Sequence, residues 1–562
     1  MVEISKETIK AYALENAIKY GGKANIKAVA SGAAVVGIDK SEIKDYMEQI
    51  GEVVNQVNSM DLEEQKREFE NLKYKVSKRE VRVGLPELSN AEEGKVVMRF
   101  APFPSGPLHI GNARPLILND EYVKKYHGKL LLIMDDTIGS EEKPIVSEAY
   151  GLIEEGMKWL KVNYDKKIVY RSDRIEKYYE YAEELIKKGY MYVCNCTREQ
   201  IRDLRVGGVE CSCRQFSSEE QIRRWKEMFT AKEGTSTVRL KTNMQDPDPA
   251  FRDRVMFKIS DRTHARVGKK FRVYPLLDFS AAIDDHVFGI THILRGTELT
   301  NETRVEKFIW DIFGWKHPEV IYNGHFEIEG VKISKSKSAV EVRSNEYSGW
   351  NDPRTWSLQS LRDRGFVPEA IREFILNMGI KKANITIPVD VLYTINKKRI
   401  IDAPKFFFVE NPLEINIKGT PNLIARIPMD SEGKLDEKIY ATSQHFLISE
   451  NDFNSMKNGN YRLMHLLNFK SEKIFPTRPR EFSFLSEEPD KDLDVKYLHW
   501  LPAGADNVKI KIRMSDGSYT EGLGESNIRK LLAGSIVQFE RFGFVKLYKK
   551  ERDVLEFWFA HN

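Results

Sequence analysis

The sequence predicts a multidomain chain with an α/β body, helices in front of it and antiparallel β-barrels behind it. Three observations carry that prediction. Residues 1 to about 90 place apolar side chains at three- and four-residue spacing over Ile9–Tyr20, Ala24–Val36 and Ser41–Val57, broken by Gly21-Gly22 and Gly37. Val96 to Asn112 then passes from a short apolar strand through a Gly/Pro turn into a helix, which is how α/β proteins build an anion site at free amides and a helix dipole. Beyond Lys397-Lys398-Arg399 helical periodicity stops. Short β-type runs follow between Gly, Asp, Asn and Pro: Leu413–Ile417, Leu423–Ile427, Tyr461–Leu467, Val508–Met514, Ser535–Phe539 and Phe544–Tyr548.

At 562 residues the chain is too long for one core and fits about three to five domains. With 41% hydrophobic and 31% charged residues it has a globular composition. A net charge of +4 is small for this length, so nucleic-acid binding would depend on local patches. No apolar run reaches a membrane span and the first residues lack a signal-peptide core, so a cytoplasmic protein without a membrane partner is expected. The four cysteines all lie between 194 and 213, which argues against a chain-wide disulfide framework.

From Glu63 to Glu80 charges dominate, which predicts an exposed helix leading to a linker near Gly84-Leu85-Pro86. The opening loop of the body, Pro102-Phe103-Pro104-Ser105-Gly106-Pro107-Leu108-His109-Ile110-Gly111-Asn112, places an imidazole at a helix start. His109 can donate to a phosphate, and Gly111 would let a nucleotide approach the backbone; alternatively His109 only caps the helix. Lys129 to Thr137 reads as a buried strand ending in Asp135-Asp136. Strand C-termini face the ligand crevice of a parallel sheet, so Asp135 is expected to meet a substrate ammonium or ribose. Asp136 reads equally well as a ligand group or as a helix N-cap.

Residues 145–162 and 174–189 are helical by period, with Val169-Tyr170 a short strand between them. Cys194, Cys196, Cys211 and Cys213 form two C-x-C pairs around a Gly207-Gly208 turn. Folded back, they would bring four thiolates into a zinc tetrahedron; a reduced, metal-free hairpin is the alternative. Arg198, Arg202, Arg205, Arg214, Arg223 and Arg224 make this region basic, as phosphate contacts need, although interleaved acids also fit a solvated face. Strands are expected at 238–240 and 255–259, a helix over Tyr274–His286, and a strand over Gly289–Gly296 that brings Arg295 to the crevice. Lys332-Ile333-Ser334-Lys335-Ser336-Lys337 follows a β-hairpin pattern, and its ammonium groups suit a polyphosphate; alone it could be a solvated lysine run.

Together, His109-Ile110-Gly111 and Lys332-Ile333-Ser334-Lys335-Ser336 resemble the two signatures of class I aminoacyl-tRNA synthetases. Phe100–Gly106, Asp285-His286 with Gly289–Gly296, and Gly349–Arg354 with Leu361–Gly365 are similar to the glutamyl/glutaminyl subgroup. His499–Pro502 and Gly534–Phe544 resemble its anticodon-binding barrels, and Leu14–Ala17 with Lys19–Ala24 the helical extension of archaeal glutamyl enzymes.

The resemblance implies a helical extension (1–90), a Rossmann-type catalytic domain in two halves (91–190 and 266–340) and an inserted acceptor-stem domain with the cysteines (191–265). A helical connector (341–395) and anticodon-binding β-barrels (396–562) complete it. It implies ATP with Mg²⁺, L-glutamate and tRNA-Glu as partners, with tRNA-Gln also in question; a monomer is expected, and the cysteine spacing adds a candidate structural Zn²⁺. His109 and Lys335 would be catalytic, residues 102–112 and 332–336 would bind ATP, and Arg99, Asp135 and Arg295 would hold glutamate. The alternatives are a glutaminyl enzyme and a non-catalytic tRNA-binding paralogue. Three positions depart from the pattern: Asn112 ends the first signature in place of a second histidine, Leu277 replaces a tyrosine, and Ile138 replaces an aspartate.

Overall fold

The structure is a computed structural model that describes residues 5–33, 45–75, 84–331, 333, 335–430, 437–472, 481–504 and 506–562, with backbone alone at Ser31, Ala33, Lys335 and Ser336. Contacts divide the chain into two units, Met1–Val83 and Gly84–Asn562.

The first unit contains α1 (Lys6–Lys19), α2 (Ile26–Ala33), α3 (Met47–Asn58) and α4 (Leu62–Leu72). Ser5 and Asp61 cap α1 and α4 by accepting backbone N–H bonds from Thr8 and Glu64. Ile9, Ala13, Leu14 and Ala17 of α1 pack on Ile50, Val53, Val54 and Val57 of α3, which places the three-and-four spacing on one face of each helix. Gln65 is wholly buried and donates to Gly22 O and Val57 O, both at 2.9 Å. Part of the expected second and third helices, and the end of the charged one, lie outside the described residues.

In the second unit β1 (Val97–Phe100) leads through the Gly/Pro loop into α5 (Ile110–Lys125) and returns as β2 (Lys129–Met134), parallel to β1. After α6 (Ser147–Trp159), β3 (Val169–Tyr170) pairs in parallel with β2. Next come α7 (Ile175–Lys187), β4 (Met191–Cys194), α8 (Arg198–Gly207), α9 (Ser218–Met228), β5 (Thr237–Leu240), β6 (Val255–Ile259) and β7 (Val273–Pro275). Strands β4 to β7 form an antiparallel sheet in sequence order. The chain then re-enters the body as α10 (Leu277–Val287), β8 (His292–Gly296), α11 (Thr300–Phe313) and β9 (Glu319–Asn323), with β8 and β9 parallel. The helix expected from Tyr274 begins only at Leu277, because Tyr274 and Pro275 pair with β6.

Thr291 N donates to Val97 O, and Val97 N donates to Thr291 Oγ1, each at 2.9 Å, so β1 lies beside β8. The chain progresses one way from β1 through β2 to β3 and the other way from β8 to β9. A crevice opens outside the strand C-termini where the direction switches. Apolar residues of β1, α5 and β2 (Met98, Leu116, Ile117, Leu132) form one core with residues 358–375.

Then come β10 (Phe326–Ile328), α12 (Lys335–Arg343), α13 (Leu358–Arg364), α14 (Pro368–Met378), β11 (Ile385–Ile387) and α15 (Val389–Arg399). The β-hairpin expected before the lysine segment is not formed: β10 pairs in parallel with β11, more than fifty residues downstream. A partner that distant leaves no local mark in the sequence.

The last part carries two seven-stranded sheets and a separate hairpin of residues 423–428 and 437–442. One sheet runs 405–406, 536–539, 543–550, 554–561, 508–513, 519–524, 408–410; its end strands are separated only by Phe407, so it curls almost to closure. The other runs from 495–498 round to 501–502 and likewise returns on itself. The barrels are not purely antiparallel, since 508–513 pairs in parallel with 554–561 and 412–418 with 481–486. The run expected over Tyr461–Leu467 is two strands, 459–463 and 467–472, joined by a turn with His465 at φ 60°. No helix among the described residues is long and apolar enough to cross a membrane.

Candidate functional site

A cavity of about 360 Å³ occupies the switch point between β1 and β8. Arg99 and Phe100 from the end of β1, Arg295 and Gly296 from the end of β8, and Asp135 and Arg171 just past β2 and β3 border it. Pro102, Phe103, His109 and Asn112 from the Gly/Pro loop complete the wall with Lys143, Leu277, Glu298 and Glu302.

His109 is the N-cap of α5. Its Nδ1 accepts from Asn112 N and its own N–H donates to Asn112 Oδ1, both at 3.3 Å, a reciprocal capping box. His109 therefore does cap the helix, and the cap has a chemical consequence. With Nδ1 accepting, the neutral ring carries its proton on Nε2 and is a donor there. Asn112 serves the cap, which explains the departure from a second histidine. A Cβ on Gly111 would lie 2.7 Å from His109 Cε1, so the glycine makes room for the imidazole. The same Cβ would lie 3.7 Å from Ile333 Cγ2, so the lysine segment meets the histidine loop at this point. Lys335 is the first residue of α12, while Lys332 and Ser334 lie outside the described residues. Pro104, Ser105, Gly106, Pro107, Leu108 and Ile110 are buried behind the loop and do not border the cavity. Leu108 O and Trp356 O accept from Leu358 N and Ile110 N, fastening the loop to the segment before α13.

The three residues expected to hold a charged substrate come together here, but with partners the sequence did not show. Arg99 donates to both oxygens of Asp285 (Nε–Oδ1 2.7 Å, Nη2–Oδ2 3.0 Å). Arg295 does the same to Glu306 (Nη1–Oε2 2.8 Å, Nη2–Oε1 3.1 Å) and also bonds Thr303 Oγ1. Burial pushes the Glu306 carboxyl up to about 7, although Arg295 pulls it down and Asp285 adds to the rise. Burial also raises Asp278 to about 6 against its pairing with Arg254.

Asp135 is paired with Arg171 (Nη1–Oδ1 2.6 Å), and its N–H donates to Pro102 O at 3.0 Å. Asp136 is neither a ligand group nor an N-cap. It is fully buried and accepts from Tyr150 Oη, Ser172 N and Ser172 Oγ, and no helix follows. Arg171 was missed, yet it sits one residue past β3 and the strand-terminus rule that selects Asp135 selects it too. Of the departures, Leu277 borders the cavity as the first residue of α10, and Ile138 packs on the core around Phe257 and Phe279.

Away from the cavity, Cys194, Cys196, Cys211 and Cys213 bring their Sγ atoms within 4.8 Å of one another. A zinc tetrahedron with ~2.3 Å Zn–S bonds needs sulfurs about 3.8 Å apart; Cys194–Cys211 is at 3.8 Å and Cys196–Cys211 at 3.2 Å, so a small opening of one pair accommodates the ion. The donor set fits the ion. Between the pairs runs α8 rather than a bare turn, ended by Gly208 in the left-handed region at φ 71°. Of the nearby arginines, Arg214 bonds Asp253 and Arg223 pairs with Glu220 and Glu227; Arg198 and Arg202 are exposed, Arg202 beside Asp203.

Residues 95–402 match the family model "tRNA synthetases class I (E and Q), catalytic domain", and 403–481 and 497–548 match the anti-codon binding domains of the same group. The chain is 40% identical over 562 residues to a protein named glutamate–tRNA ligase from Methanocaldococcus jannaschii, covering 99% of this chain and all of that one. It is also 40% identical to one from Pyrococcus abyssi, with both chains covered completely. A crystal structure of a glutamate tRNA ligase from Elizabethkingia meningosepticum aligns with a TM-score of 0.39 at 20% identity, covering 54% of this chain and 70% of that one. On the family models and the full-length identity, the chain belongs to the class I tRNA synthetases of the E and Q group.

Proposed function

We propose that this protein is a glutamate–tRNA ligase, which activates L-glutamate with ATP and transfers it to the 3′ end of tRNA-Glu. The observation that carries the reading is one cavity bordered both by the His109 loop at a helix N-terminus and by the Arg99, Asp135 and Arg295 cluster. A phosphate site and an amino-acid site thus share one small volume.

An oxygen of the substrate α-carboxylate attacks the α-phosphorus of ATP; the P–O bond to the β-phosphate breaks and pyrophosphate leaves. The terminal 2′-hydroxyl of tRNA then attacks the adenylate carbonyl, and AMP departs. The enzyme needs no nucleophile, so positioning and charge stabilisation carry the rate. The N–H of His109 Nε2 and the N-terminal amides of α5 face developing phosphoryl charge, and Lys335 at the start of α12 adds an ammonium. In this reading the ATP site is the loop 102–112, of which Pro102, Phe103, His109 and Asn112 border the cavity, together with residues 332–336. Glu298 at the cavity rim is the carboxylate that would help hold Mg²⁺, which would supply counter-charge to the phosphates. Asp135 takes the substrate ammonium, while Arg99 and Arg295, each paired with a buried carboxylate, supply guanidinium N–H donors for the substrate carboxylates.

Residues 91–190 and 266–340 are the two halves of the catalytic domain, 191–265 an acceptor-stem domain with zinc on its four cysteines, 341–395 a connector and 396–562 the anticodon-binding part. Residues 1–90 are an appended helical domain, and the enzyme works as a cytoplasmic monomer. Charging of tRNA-Glu and tRNA-Gln transcripts, each with glutamate and glutamine, tests the reading. Glutamate on tRNA-Glu is the expected product, and charging with glutamine only overturns it. Glutamate on tRNA-Gln as well would make the enzyme non-discriminating.

A further inference from the structure

The guanidinium groups of the cavity are not equally engaged. Arg99 and Arg295 each use two nitrogens on a single buried carboxylate, although Arg295 Nε has no hydrogen-bond partner among the described residues. Arg171, which has no solvent-exposed surface, bonds Asp135 through Nη1 alone (2.6 Å) and Asp284 through Nε (3.3 Å). Its Nη2 has no hydrogen-bond partner among the described residues. Asp284 is itself fixed by Arg174 Nε at 2.8 Å and Tyr178 Oη at 2.7 Å, so the plane of the Arg171 guanidinium is held from behind. Both Arg171 and Asp135 border the cavity, just past the C-termini of adjacent parallel strands.

We propose that Arg171 and Asp135 form one receptor for the zwitterionic head of the amino acid, Asp135 taking the α-ammonium and Arg171 Nη2 donating to the α-carboxylate. Only one oxygen of Asp135 is used in the pair, and a guanidinium nitrogen stays without an acceptor. A monodentate ion pair of this kind presents a negative and a positive group side by side, as an α-amino acid does with opposite sign. A buried N–H left without an acceptor is unfavourable, and a bound carboxylate supplies the acceptor. Arg99 and Arg295, although paired with Asp285 and Glu306, are then left for the side-chain carboxylate. This inference rests on the proposed ligase activity. It assigns to Arg171 the orientation of the attacking carboxylate.

The test is ATP–pyrophosphate exchange with tRNA-Glu present, using wild type, R171Q and R171K, with L-glutamate varied and L-glutamic acid α-amide as competitor. The α-amide keeps the ammonium and the side-chain carboxylate but lacks the α-carboxylate charge. In R171Q the KM for glutamate rises about 10- to 100-fold, as expected for loss of a charged hydrogen bond. The KM for ATP is unchanged, and inhibition by the α-amide is as strong as in wild type. R171K, which keeps a cation in the same place, falls between the two and serves as the decisive variant if R171Q does not fold. An unchanged glutamate KM in either variant overturns the inference, as does a parallel loss of glutamate and α-amide binding. Absence of glutamate-dependent exchange in the wild type would instead overturn the proposed function.

Discussion

The imidazole of His109 fills the space that a side chain on Gly111 would need: a Cβ there would sit 2.7 Å from Cε1 and 2.8 Å from Nδ1. The glycine of the first signature is therefore a condition for the position of the histidine. Gly111→Ala should push the ring out of its capping geometry while leaving α5 intact, since alanine is a good helix former. Adenylate formation should fall about 10²-fold, the usual cost of a misplacement near 1 Å. Single-turnover exchange measures it; wild-type rates in a folded variant would refute the link.

His109→Ala and Lys335→Ala should each lower adenylate formation by roughly 10²–10³, the cost of losing one charge-stabilising contact. Filter binding should show tRNA affinity retained in both, because neither residue lies in the C-terminal β sheets. If pyrophosphate exchange were unaffected by both, the catalytic assignment would be wrong.

Glu306 gives the stability a pH signature. Its carboxyl titrates near 7 in the folded chain and near the ordinary 4.5 when unfolded. Between those values the folded state binds the extra proton, so this group's contribution is full below the unfolded value and is lost as pH rises towards 7. Glu306→Gln mimics the protonated form and should flatten the fall in Tm between pH 5 and 7.5. Thermal unfolding of both proteins across that range decides it, and parallel curves would count against the buried-carboxylate explanation.

The four cysteines should bind one zinc per chain by elemental analysis. Chelation, or Cys211→Ser, should lower the Tm, because the cluster ties β4 to the short turn following α8. A metal-free protein with unchanged Tm after chelator treatment would show the thiols to be an apolar cluster only.

Much of the fold was legible because the signals are local. The periodicity of α1 and α3, the strand–loop–helix at β1 and α5, and the alternation in 412–418 and 423–428 each read correctly from neighbours in sequence. What failed depended on distant partners. β10 pairs with β11, Asp136 with Tyr150 and Ser172, and the parallel pairs within the near-barrels join strands far apart in sequence. The strands 437–442, 481–486 and 519–524, absent from the sequence reading, are short, and charged or polar residues interrupt their apolar pattern.

The same division holds at the site. The sequence by itself determined which chemical groups exist and which ends of strands and helices carry them: His109 and Asn112 at a helix start, Asp135 and Arg295 at strand ends. Chain order and backbone preference decide those placements. Only the tertiary structure decided which of those charges are already neutralised. Asp285 comes 186 residues after Arg99, Arg171 comes 36 after Asp135, and Glu306 faces Arg295 from the next helix. Burial in a low dielectric makes each such pairing strong, and no pattern of spacing announces it.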